Sequence, residues 1–240
     1  MIRAASDNLT LEIMFEDGAS IIARKILLTD DLDEDNWGVR KLRIEARLLA
    51  WLKRSSKLPT PGLLSPLALS LMDEPDADRT FFIIEKLPGV PMLNQYGLLN
   101  TKAKERTVQS YAHFCLEMFR LKVPPKIGLF VPGISSTSSD DVVPAITVQS
   151  RFRDPTKTFD DIQEYFDFLL EMKKHSYTIG GDDRGHLDEL EVHINAILDN
   201  LTSKKSAHSL SRCVLVHADL NDMNILVDER GQITGIIDWE

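Results

Sequence analysis

No long apolar run occurs in this chain. Nowhere in its 240 residues does a stretch approach the roughly 18 consecutive apolar residues of a membrane span, which argues against a membrane-embedded class. The opening MIRAASDNLT lacks the apolar core of a secretory signal. Cysteine is scarce. Cys115 and Cys213 are the only two, neither sits in a C-x-x-C pair, and both lie in apolar surroundings. That usage points to reduced thiols in a cytoplasmic protein, not a disulfide scaffold. Positive charge is also short: 28 Lys and Arg face 37 Asp and Glu, a net of −9. Such a surface repels phosphate backbones and argues against nucleic acid as a partner. It leaves open a single bound nucleotide, because one local cation and one metal outweigh a mean field. There is no internal repeat and no low-complexity run; SSTSSDD is a short flexible loop.

What is present is enough apolar material for real cores. Hydrophobic residues make up 43%, which suits one large domain or two small lobes and excludes a disordered chain. LTLEIMFEDGASIIARKILL reads as a hairpin: Leu9, Leu11 and Ile13 alternate with Thr10, Glu12 and Met14, and Asp17-Gly18 supplies the turn. DEDNWGVRKLRIEARLLAWLKRSSK has helical spacing, with Val39, Leu42, Ala46, Leu49 and Leu52 on one face. Asn36 or Asp35 is placed to cap it, and Pro59 and Pro61 end it. GLLSPLALSLMDEPDADRTFFIIEKLPG predicts a second hairpin with DEPDAD as its turn. The order strand, strand, helix, strand, strand makes a small antiparallel sheet with one helix.

After Gly89 the pattern turns helical. KAKERTVQSYAHFCLEMFRLK carries Val108, Tyr111, Ala112, Cys115, Met118 and Phe119 as its apolar stripe. PPKIGLFVPGISSTSSDDVVP reads as loop. DDIQEYFDFLLEMKKH is a helix with Asp160 or Asp161 at its start and Lys173, Lys174 and His175 at its end, as the helix dipole favours. RGHLDELEVHINAILDNL is a further helix. Then come CVLVH as an apolar strand, a loop, the strand NILVD, the turn ERGQ and the strand ITGIID.

The closing stretch LVHADLNDMNILVDERGQITGIIDWE carries the chemistry. A lone Asp or Asn in a loop is ordinarily a turn former or cap. Here Asp219, Asn224 and Asp238 converge on one rim between apolar strands. Hard oxygen donors of this kind suit Mg²⁺ shared with substrate phosphates. An Asp at a strand end can orient a hydroxyl and accept its proton. These are the parts of phosphoryl transfer. His217 reads as a ring that buttresses the loop, and Asp222 as a solvent-facing or capping residue.

HADLNDMNILVD followed by GIIDWE resembles the aminoglycoside phosphotransferase and choline-kinase-like family, whose pattern is H-G-D-x-x-x-x-N-I-L-x-D and then I-D-W/F-E. The resemblance implies an α+β, two-lobed protein-kinase-like fold. Residues 1–87 would be an antiparallel-sheet N-lobe for the nucleotide, and 88–240 a mainly helical, incomplete C-lobe. It implies that Asp219 is the catalytic residue and that Asn224 and Asp238 hold Mg²⁺. Arg24 of IIAR matches the cation for the ATP phosphates, with Lys25 next to it in sequence. Glu45 of RIEARLLAWL matches the glutamate that pairs with that cation. FFIIEKLPGVPM matches the hinge, where the backbones of Glu85 and Leu87 would bond adenine. The reaction implied moves the γ-phosphate of ATP to a small-molecule hydroxyl.

Two departures bear on this. The family's first strand and glycine-rich loop precede the position of Asn8, where only MIRAASD stands, with no glycine. The family also continues for several helices past I-D-W-E. The chain thus reads as truncated at both ends. A non-catalytic kinase-like binding module is the rival reading: the missing parts favour it and the intact trio disfavours it. A protein kinase fits less well, since there is no D-F-G, no A-P-E and no arginine before Asp219.

Overall fold

The structure, a computed structural model, describes residues 2–5, 8–26, 37–64, 81–133, 139–143, 157–180, 184–203 and 212–239. Its strands are β1 (Ile2–Ala5), β2 (Asn8–Met14), β3 (Ser20–Ile26), β4 (Phe81–Glu85), β5 (Val90–Pro91), β6 (Leu129–Val131), β7 (Asp141–Val143), β8 (Ile225–Val227) and β9 (Ile233–Ile236). Its helices are α1 (Trp37–Ser55), the short α2 (Met92–Gln95), α3 (Thr101–Arg120), α4 (Ile162–Gly180) and α5 (Arg184–Ser203), with one 3₁₀ turn at Tyr96–Leu98. They fall into two compact units: Met1–Leu121, Pro132–Ser139 and Leu215–Glu240 in the first, Lys122–Val131 and Asp140–Val214 in the second.

In the first unit, β1-β2-β3-β4 form one antiparallel sheet. Gly18 turns the β2–β3 hairpin with φ +84°, where a side chain would be strained. The Asp17 carboxylate accepts the Ala19 N–H at 2.9 Å. Register decides which cation faces inward. Arg24 pairs with buried Phe82 and Lys25 with exposed Phe81, and paired residues share a face. Arg24 is buried and Lys25 is exposed. Helix α1 buries Leu42, Ala46, Leu49 and Leu52 as its spacing predicts, and Glu45 with them. The side chain of Val39 lies outside the described residues, as do the cap at Asp35 or Asn36 and the DEPDAD turn. Strand β1 was not expected, because IRAA has no strand signature of its own. Its pairing with β2, Ile2 opposite Leu11, makes it a strand.

A second sheet, order β5-β8-β9, carries the closing stretch. Val227 and Ile236 are fully buried in it. The β8–β9 turn is tied by the Asp228 carboxylate, whose Oδ1 accepts N–H bonds from Arg230 at 2.9 Å and Gln232 at 2.8 Å. Gly231 in this turn has φ +77°, and a Cβ on it would stand 2.1 Å from the Ala103 carbonyl oxygen. That close approach corrects the expected stripe of α3. Its buried residues are Ala103, Thr107, Phe114 and Met118, while Val108 and Phe119 are 62% and 58% exposed. Small residues at 103 and 107 admit the turn. The Thr107 hydroxyl then donates to the Gly231 carbonyl at 2.8 Å. Asn100 caps α3, accepting the Ala103 N–H at 3.0 Å. Cys213–His217, expected as a strand, has no ladder partner among the described residues.

The second unit contains the β6–β7 hairpin, Leu129 opposite Val143, where a loop was expected. Three-residue strands are too short to show alternation. Residues 134–138 between them lie outside the described residues. Helix α4 is capped by Asp161, whose Oδ1 accepts the Glu164 N–H at 2.8 Å. It continues past His175 to Gly180. Lys174 joins it to Glu191 of α5 at 2.5 Å.

Candidate active site

All the candidate residues lie in the first unit, and the structure gathers them into two connected groups. The first is charged. Arg24 Nη1 stands 2.6 Å from Glu45 Oε1 and 2.9 Å from Asp238 Oδ1. Arg24 and Glu45 are 7% and 2% exposed. At such depth a charge is tolerable only beside its opposite. One guanidinium nitrogen thus links β3, α1 and the end of β9, residues separated in sequence by more than 200 positions.

The second group centres on Asp219. Its Oδ1 accepts from the Asn221 amide at 3.0 Å and its Oδ2 from the Asn224 amide at 3.1 Å. Asn224 Nδ2 also donates to the Asp219 carbonyl at 2.9 Å. With its amide nitrogen committed to Asp219, Asn224 keeps its carbonyl oxygen for another partner. The main chain joins the two groups: Ile237 N–H donates to the Asn224 carbonyl at 3.0 Å, which sets Asp238 beside Asn224. Asp238 has φ +66°, a left-handed conformation that non-glycine residues hold only where their surroundings fix it.

Those surroundings are identifiable. Asp219 N–H donates to His217 Nδ1 at 3.3 Å, so Nδ1 is the unprotonated nitrogen and Nε2–H donates to the Ile237 carbonyl at 3.0 Å. The imidazole thereby spans the residue beside Asp238 and the backbone of Asp219. Burial pushes its pKa below the usual value, outweighing the opposing pull of the Ile237 carbonyl and the Asp238 and Asp219 charges. Trp239 packs on it with ring centroids 4.6 Å apart, and its indole N–H donates to the Ile236 carbonyl at 2.9 Å. Asp222 contributes its carbonyl, which accepts the Leu93 N–H at 3.0 Å.

The hinge candidates sit at the end of β4. The Glu85 N–H is bonded to the Gly62 carbonyl at 2.8 Å. Its carboxylate holds the Gly62 N–H at 3.2 Å and Lys53 at 3.3 Å. Leu87 is buried against Gly235. Asn221 and Trp239 were not singled out from the sequence. The signal for Asn221 was its place two residues after Asp219, where a short amide reaches back. Among the described residues no group of three His, Cys, Asp or Glu is arranged to hold a metal.

The model of the phosphotransferase enzyme family matches residues 7–240. The chain belongs to the phosphotransferase enzyme family. A relative, protein Y of the clavilactone A biosynthesis cluster of Ampulloclitocybe clavipes, is 36% identical over 248 residues. The alignment covers 99% of this chain and 58% of the relative. Among solved structures, the apoenzyme of a macrolide 2′-phosphotransferase from Brachybacterium faecium is similar with a TM-score of 0.50 at 14% identity, over 100% of this chain and 64% of that one. The chain therefore spans about three-fifths of the length of these relatives. Its fold is the α+β, kinase-like fold of that neighbour, with an antiparallel N-terminal sheet.

Proposed function

We propose that this phosphotransferase chain moves the γ-phosphate of ATP to a hydroxyl of a small molecule, with residues 1–87 as the nucleotide lobe and 88–240 carrying the catalytic loop. The observation that carries this reading is the single Arg24 nitrogen shared by Glu45 and Asp238. One guanidinium nitrogen binds two carboxylates, and the bond from the Ile237 N–H to the Asn224 carbonyl ties that group to the amide-braced Asp219.

Asp219 would accept the proton of the acceptor hydroxyl as its oxygen bonds to the γ-phosphorus and the bond to the β-phosphate oxygen breaks, releasing ADP. Arg24 would present its guanidinium to the phosphates, held by Glu45. Leu87 and the Glu85 carbonyl would meet adenine. The donor set fits Mg²⁺, because Asn224 offers a hard carbonyl oxygen and Asp238 a carboxylate just past the end of β9. Mg²⁺ bound there would neutralise and orient phosphate oxygens. A reducing cytoplasm suits the two free cysteines, and no helix among the described residues is long and apolar enough to cross a membrane.

Calorimetry tests the metal assignment. ATP should bind more tightly with Mg²⁺ than with EDTA, and Asp238→Ala should remove the difference. Equal affinity in both conditions for the unmutated chain would remove Asn224 and Asp238 from the metal site. Transfer of labelled γ-phosphate across a library of hydroxyl-bearing small molecules, macrolides included, tests the reaction. Asp219→Asn should silence it, losing roughly 10²–10⁴-fold in turnover.

A further inference from the structure

We propose that Asn221 is a positioning residue for the catalytic carboxylate: its side-chain amide fixes the orientation of Asp219. The proposal rests on the phosphotransfer reading above and extends it to a variable position of the motif.

The backbone settles which way the Asn221 amide points. Its Oδ1 accepts the Met223 N–H at 2.8 Å. A flipped amide would set N–H against N–H there, so the oxygen end is fixed by the backbone. The nitrogen end must then face Asp219, and it does, at 3.0 Å from Oδ1. The main chain holds Asn221 a third time, its carbonyl accepting the Asn224 N–H at 3.1 Å. Asn221 is therefore clamped before it touches Asp219.

The consequence for Asp219 is geometric. Asn224 holds Oδ2 at 3.1 Å and Asn221 holds Oδ1 at 3.0 Å. With one donor, a carboxylate still rotates about its Cβ–Cγ bond. With a donor on each oxygen, its plane is set. Each oxygen retains a lone pair, so Asp219 can still accept a hydroxyl proton, from a defined direction.

A plain turn-forming role is the competing account, since Asn221 Oδ1 on the Met223 N–H is an Asx-turn. Ser keeps an acceptor for that turn and removes the amide donor without adding charge beside Asp219. Asn221→Ser should therefore melt close to the parent and bind Mg·ATP with unchanged affinity. Turnover, read as Mg·ATP hydrolysis and as phosphate transfer, should fall roughly ten- to a hundredfold, the value of a hydrogen bond to a charged group. A loss in kcat without a rise in KM for ATP is the signature. Parent-level turnover in Asn221→Ser would overturn the proposal. An activity-independent arm uses the Asn221 side-chain amide resonances in a ¹⁵N-labelled sample. Asp219→Ala should shift them, and an unchanged pair would also overturn the proposal. If the unmutated chain fails to bind or turn over Mg·ATP, the phosphotransfer reading falls, while the resonance arm still decides whether Asn221 holds Asp219.

Discussion

Arg24 and Asp219 sit in the same compact unit and are held by opposite means. Arg24 is placed by regular structure: a β-ladder fixes its face, and a helix buries Glu45 against it at 2.6 Å. Asp219 is exposed, on irregular backbone, and is placed by side chains: two asparagine amides, the His217 ring and, behind it, Trp239. The cation arm is part of the core, so disturbing it should cost stability. The carboxylate loop is held by local bonds, so disturbing it should cost turnover while the fold stands. Precision in a loop comes from satisfying each polar atom in one way only.

Arg24→Ala is the strongest test of that difference. It leaves the Glu45 carboxylate buried without this cation and next to Asp238. Breaking such a pair costs about 3–5 kcal/mol, to be read as a drop in the urea midpoint at unchanged slope. ATP should weaken more than adenosine. A midpoint within error of the parent would show that the arm is not part of the core.

Gly231→Ala comes next. A Cβ there meets the Ala103 carbonyl at 2.1 Å on a backbone with φ +77°. Left-handed strain and overpacking together predict a loss of about 2–4 kcal/mol. The same substitution at Gly18, where a Cβ meets nothing within 4 Å, should show the smaller backbone cost alone.

A smaller effect is expected from His217, and it depends on pH. Its folded pKa lies below the ordinary 6.5 because of burial. The unfolded chain thus takes up the proton first. The stability His217 contributes is complete above about pH 6.5 and is lost as pH falls through the folded value. In His217→Gln the fall in urea midpoint between about pH 7.5 and about pH 5.5 should be shallower than in the parent. Parallel profiles would show that the ring is not a buried neutral base.

Lys25→Ala should do least. Lys25 is exposed and its ladder partner Phe81 faces outward, so the change should stay within about 0.5 kcal/mol. If Lys25→Ala weakened ATP and Arg24→Ala did not, the strand register would be off by one residue.

The parts legible from sequence share a cause. Alternation with Asp17-Gly18, the stripe from Leu42 to Leu52, and the paired strands of the closing hairpin are local patterns set by local geometry. The parts that were not legible depend on distant partners. IRAA is a strand because β2 lies beside it. Cys213–His217 is apolar yet unladdered. Helix α3 shows this best: Val108, Tyr111 and Phe119 are apolar at helical spacing yet exposed, and the face it buries includes Ala103 and Thr107, small enough to let Gly231 approach. At the site, the spacing of Asp219, Asn224 and Asp238 was readable. The grip of Asn221 was not, since an Asn two residues from an Asp is ordinary turn chemistry until its amide is seen to be fixed.

The seat of the β8–β9 turn on α3 also bears on how the chain folds. Asp228 closes the turn through bonds to residues two and four positions away. Thr107 and Ser110 bind that same turn across 122 to 124 residues. Loop-closure entropy rises with the logarithm of the span, and contacts between distant residues slow folding. The local turn can therefore close long before its seat is reached. Substitutions at Thr107 or Ser110 would tell by kinetics whether docking belongs to the folding nucleus, slowing refolding if it does and speeding only unfolding if it does not.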